Sequence, residues 1–219
     1  MNQPTLNQPP LARLGAACGG VFAIVLVVAN GNGSHPFSAP RAIAGIAALT
    51  LVVPFIAYVC SVLRAAEGPD GWLAGAALAA GITGIALKLG SGAPDLAAHR
   101  AQLAAGTPLH ATISALGDAA TVLSLFPLAV FCAAVAITAF RTRALPRWLA
   151  AGAAVTAVAL AVNGGFLGTD FVPAMLLFAL WTLLASVYLL RRTWRQSAYR
   201  SGAASPAASA AQARSVSTR

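Results

Sequence analysis

Apolar residues in this chain come in long, nearly unbroken runs, and most runs end in a cluster of Gly, Pro, Asn or Ser. A helix rises 1.5 Å per residue, so roughly 20 mainly apolar residues cross a hydrocarbon core about 30 Å thick. Six runs reach or approach that length: residues 14–30, 43–63, 72–89, 109–140, 148–167 and 171–190. The pattern predicts an all-α polytopic membrane protein, six transmembrane helices in a single bundle occupying residues 14–192. Between runs lie turn sequences, Asn30-Gly-Asn-Gly-Ser-His-Pro, Glu67-Gly-Pro-Asp-Gly and Gly90-Ser-Gly-Ala-Pro.

The fourth run is long enough to cover roughly 45–50 Å, so it must protrude, tilt or bend. Pro127 in its middle is the natural place for a kink, and Pro54 in the second run is another. Residues 94–106 predict a short outer helix with Asp95 near its start and Leu96 and Leu103 on its apolar side. Residues 1–13 read as a cytoplasmic N-terminal segment. Residues 193–219, basic, Ala- and Ser-rich and without acids, read as a disordered cytoplasmic tail. The first run follows Arg13 as a signal peptide would, but no A-x-A-like site comes after it, so it is expected to be retained.

Composition agrees. The chain is 58% hydrophobic and 9% charged with a mean hydropathy of +0.77, whereas soluble domains carry about 25% charged residues. A net charge of +9 does not point to nucleic acid here, because the basic residues sit in short loops and a tail beside apolar runs. They read as orientation signals and as contacts for anionic lipid headgroups. With six spans, Arg13, Arg64, Arg141, Arg143, Arg147, Arg191, Arg192, Arg195, Arg200, Arg214 and Arg219 fall on one side, and Arg41, Lys88 and Arg100 on the other. Lys and Arg concentrate on the cytoplasmic face, which predicts both termini inside, in a bacterial plasma membrane. Trp72, Trp148 and Trp194 fall at the same interface, and Cys18, Cys60 and Cys132 in the same halves of their spans, where thiols stay reduced. His35, His99 and His110 fall on the outer side.

Small residues four apart occur at Gly15/Gly19, Gly71/Gly75, Ala77/Gly81 and Gly164/Gly168, a spacing that lets helix backbones approach. They are candidate contacts between spans, or with a second copy or another membrane protein.

Charge inside a span is costly, and Asp118 lies about two turns inside the fourth. His110, Ser114, Asp118, Thr121 and Ser124 fall within about 120° of one helical face, which is expected to look into the bundle or a wet cleft. Lys88 and Asn163 end neighbouring spans at similar depth. A Lys88–Asp118 ion pair, with Asn163 filling a hydrogen bond, would relieve both desolvation costs. The candidate polar pocket is therefore Asp118, Lys88, Asn163, His110, Ser114 and Thr121. It is either an outward-facing site for a proton, ion or small polar ligand, or a buried pair that fixes packing.

Several activities lose their residues. No histidine lies deep enough for haem ligation or a Ser–His pair, and no C-x-x-C, H-E-x-x-H or P-loop occurs. The chain reads as non-enzymatic, with no cofactor and no metal. Lipid chemistry is a weaker option, limited by the single membrane carboxylate.

Ala86-Leu-Lys-Leu-Gly-Ser-Gly-Ala-Pro, Leu116-Gly-Asp-Ala-Ala, Leu145-Pro-Arg-Trp-Leu and Phe171-Val-Pro-Ala-Met-Leu-Leu-Phe-Ala-Leu-Trp-Thr occur in order along the chain. Through these, residues 40–195 resemble a set of uncharacterised actinobacterial integral membrane proteins, related at a distance to larger domain-of-unknown-function families. The resemblance implies a six-span bacterial membrane protein and brings no activity. Two functions stay open: a small proton- or ion-linked carrier or sensor using the polar pocket, and a scaffold or regulatory subunit of a membrane complex. No inverted repeat or paired glycine break marks a broken-helix transporter.

Overall fold

The computed structural model describes the backbone of residues 9–30, 39–68, 71–104, 106–167 and 173–216, and side chains within 11–28, 43–68, 71–104, 106–166 and 173–195. Among these residues the structure is helical: α1 (Pro9–Asn30), α2 (Ala39–Glu67), α3 (Leu73–Gly90), α4 (Ala93–Arg100), α5 (Pro108–Thr142), α6 (Arg147–Val162) continued by a π-helical turn (Asn163–Leu167), and α7 (Pro173–Val216). Six helices are long and apolar enough to cross a membrane, as expected. Gly168, His35 and the turn at 31–36 lie outside the described residues, as does the side chain of Arg41.

Local chemistry sets the ends. Thr107 caps α5 by accepting the amide of His110 at 3.3 Å, with Pro108 in the first turn. The helix runs through Pro127 as a single element of 35 residues and stops where Arg143 turns left-handed at φ 56. α7 stays helical to Val216, across the segment expected to be disordered. The segment is rich in alanine, the strongest helix former, although it also carries Gly202 and Pro206, the weakest.

The spans stand in a ring in chain order. α1 packs on α2, α2 on α3, α3 on α5, α5 on α6, α6 on α7, and α7 closes on α1. α2 also reaches α5 across the middle. The interior is filled by aromatic rings: Trp181 lies edge-on to Phe55 (6.4 Å) and Phe131 (6.1 Å) and tilted against Phe178 (6.3 Å), which meets Phe22 at 6.2 Å. A buried indole needs a partner for its N–H, and Trp181 Nε1 donates to the Leu149 carbonyl at 3.1 Å.

Close approach depends on a few glycines. A Cβ at Gly15 would lie 2.9 Å from Tyr58 Cβ, and one at Gly19 would collide with the Phe55 ring and Ser186 Oγ, so α1 is wedged between α2 and α7. Gly81 admits Ile56 and Gly84 admits Leu128 in the same way. Gly164 packs on Phe126, while Gly75 touches nothing.

One end of the bundle gathers the arginines. Arg13 stacks over Trp194 at 5.4 Å, Arg192 donates to the Ala144 carbonyl at 3.0 Å, and Glu67 accepts from Ala74 and Thr138. These contacts bring together the start of α1, the α2–α3 and α5–α6 turns, and residues 191–195. The α3–α4–α5 connection lies at the other end.

Candidate functional site

Where α3 gives way to α4, the chain folds against the first turns of α5. Gly117 makes room: a Cβ there would lie 3.0 Å from the Ser91 carbonyl oxygen. The Ser91 hydroxyl donates to the Lys88 carbonyl at 2.8 Å, closing the last turn of α3. Lys88 itself is half-buried, and its Nζ donates to Thr121 Oγ1 at 3.2 Å.

The expected ion pair is not formed. Lys88 and Asp118 have no N···O contact within 4.0 Å, although Asp118 lies close enough to act on the ammonium electrostatically, and Asp118 is exposed. The reason is angular. Gly117, Thr121, Ser124 and Leu128 make the face of α5 that meets α3 and its connector. Asp118, about 100° round from Gly117, stands on the flank of that face. The polar stripe therefore faces inward only in part, with Ser124 buried and its hydroxyl on the Thr121 carbonyl at 2.6 Å.

Asn163 follows the last residue of α6. It is 3% exposed and opens the π-helical turn, whose Gly164 packs on Leu125 and Phe126, so it approaches α5 from the α6 side. Of the six residues expected to converge, the structure joins Lys88 to Thr121. Ser114 and His110 join a different neighbourhood.

That neighbourhood lies under α4. Ser114 Oγ donates to Asp95 Oδ1 at 3.5 Å. Asp95, Ala98, His99, Leu103 and His110 line a cavity of about 330 Å³ between α4 and α5. Asp95 and His99 were not among the expected site residues. Their i, i+4 spacing on a predicted surface helix was the available signal, because it stacks both side chains on one face. Asp95 is the one carboxylate lining the cavity, two imidazoles supply further polar atoms, and Ala98 and Leu103 supply an apolar wall. Such a set suits a small ligand with a positive or hydrogen-bonding head and a short apolar body. Among the described residues no three His, Cys, Asp or Glu side chains are grouped to hold a metal ion.

A second hollow, about 410 Å³, runs between α1 and α7 and is lined by apolar side chains such as Ile24, Val27, Leu176 and Leu180. Cys18, Cys60 and Cys132 are buried free thiols on three different helices.

No protein family, no curated protein and no solved structure was found to match the chain.

Proposed function

We propose that this chain is a non-enzymatic, multi-pass protein of a bacterial plasma membrane, with both termini cytoplasmic, that binds a small organic cation in the cavity between α4 and α5. The observation that carries the reading is the cavity lining, in which, among the described residues, Asp95 is the sole carboxylate beside His99, His110, Ala98 and Leu103. The nearby ammonium of Lys88 is engaged by Thr121 and does not enter that lining. Six membrane-length helices and the gathering of arginines at the opposite end support the topology. The aromatic filling around Trp181 favours sensing over transport, since the interior at that level is occupied by side chains.

Thermal unfolding in neutral detergent with n-butylammonium, n-butanol and butyrate tests the ligand class. The ammonium is expected to stabilise the protein, the alcohol and the acid to have little effect, and Asp95→Asn to remove the response. Equal stabilisation by the alcohol, or a response that survives Asp95→Asn, would sink it.

A scaffold or regulatory-subunit reading is favoured separately by the apolar hollow at the α1–α7 seam, which a partner helix fits. Crosslinking from Val27 or Leu180 to a second chain in native membranes would support it, and a monomer without neighbours would count against it.

A further inference from the structure

The arginine-rich end holds a second arrangement that the cavity does not use. Arg192 reaches from α7 across to the α5–α6 turn, where one guanidinium N–H is fixed on the Ala144 carbonyl at 3.0 Å. That turn carries Arg143 and starts α6 at Arg147, both exposed. Consecutive Cα atoms are 3.8 Å apart, so both arginines spring from backbone within about 11 Å of the residue on which Arg192 docks. One turn below Arg192 on the same face of α7 is Tyr188, whose ring meets that of Trp148 edge-on at 6.3 Å. Trp148 is 54% exposed.

Among the described residues no carboxylate pairs with the cluster. The one described carboxylate at this end, Glu67, has its two oxygens on the Ala74 amide and the Thr138 hydroxyl. A guanidinium offers five N–H donors, and the Ala144 carbonyl takes one from Arg192. Fixing the side chain there leaves a pre-oriented fork, the geometry that suits phosphate oxygens. Aromatic rings one helical turn, about 5 Å, beneath a basic layer match the boundary between headgroup and hydrocarbon.

We infer that Arg143, Arg147 and Arg192, above the Trp148–Tyr188 pair, form a site for the phosphate of an anionic phospholipid. The headgroup sits on the three guanidinium groups, and the first carbons of the acyl chains lie against the indole. The cation reading of the α4–α5 cavity is independent of it.

The test uses the full chain in phosphatidylcholine nanodiscs, titrated with phosphatidylglycerol whose acyl chains carry bromine. Quenching of Trp148 is read as the difference between wild type and Trp148→Phe. Phosphatidylglycerol is expected to quench Trp148 well before brominated phosphatidylcholine does. Arg192→Gln is expected to weaken that preference about fivefold, the effect of about 1 kcal/mol per basic residue at a membrane surface. Arg192→Lys, which keeps charge and loses the fork, should fall between the two. Arg64→Gln, at the same end on α2, should leave the preference unchanged. Equal quenching by the two lipids overturns the site. So does an equal loss in Arg64→Gln, which would mean a diffuse basic surface. Displacement of the lipid by millimolar inorganic phosphate would reassign the cluster to a soluble anion.

Discussion

Glu67, the last residue of α2, accepts the backbone amide of Ala74 in α3 at 2.9 Å. The first amides of a helix have no partner within it, and Trp72, at the usual capping position, makes no side-chain bond. The preceding span therefore caps the next one across their turn. The other carboxylate oxygen takes the Thr138 hydroxyl at 3.3 Å, tying both helices to α5.

Glu67→Ala should lower the stability of the bundle by about 1–2 kcal/mol, the usual loss of a helix cap. Glu67→Gln, whose amide oxygen still accepts, should lose less. Denaturant unfolding in detergent reads both, and an unchanged midpoint in Glu67→Ala would show the cap to be idle.

At Gly19 a methyl group meets the Phe55 ring and the Ser186 hydroxyl, both fully buried. Gly19→Ala should cost about 1–3 kcal/mol through overpacking. Gly75→Ala, where a Cβ meets nothing, should stabilise by up to about 1 kcal/mol through helix propensity. The two substitutions make the same chemical change and are expected to shift the melting temperature in opposite directions.

Trp181→Phe removes the bond to Leu149 and shrinks a ring that touches three others. A loss of about 1–3 kcal/mol is expected from the hydrogen bond and the space left behind. Stability equal to wild type would mean the interior repacks freely.

Arg143 ends α5 at φ 56, a conformation that costs a side chain about 1–2 kcal/mol and glycine almost nothing. Arg143→Gly should therefore raise stability by about 1 kcal/mol in neutral detergent. The same substitution should weaken phosphatidylglycerol binding, so the two measurements separate backbone strain from charge.

Asp118 is exposed and acts on Lys88 across a distance, with no direct bond, while Thr121 holds the ammonium. Asp118→Asn should change stability by less than about 0.5 kcal/mol and leave the butylammonium response intact. Thr121→Val should cost about 1 kcal/mol, by leaving the half-buried ammonium without that acceptor. If Asp118→Asn instead abolished ligand binding, the site would belong to the α5 stripe and not to α4.

The spans were legible because crossing length is a property of consecutive residues, which a linear text displays directly. The absence of a direct Lys88–Asp118 contact was not legible for a related reason. A stripe about 120° wide can be drawn from spacing, but which edge of it is covered depends on where α3 and its connector lie, through Gly84 and Gly117. Those glycines look like any others in an alanine-rich span. Asp95 and His99 stood in view at helical spacing. Their pairing with His110 required α4 to fold back onto α5, which nothing local dictates. Glu67 escaped notice because its partner is seven residues away across a turn, beyond the usual capping register.

The closure of α7 on α1 bears on how the protein is made. A ribosome delivers α1 before residues 173–195, so the flank of α1 around Gly19 and Phe22 must wait, through the synthesis of every intervening helix, for the one that covers it. Until then the helices form an open arc whose two edges, α1 and α6, lack their neighbour. Loss of residues 173–195 would expose α1 and α6 together.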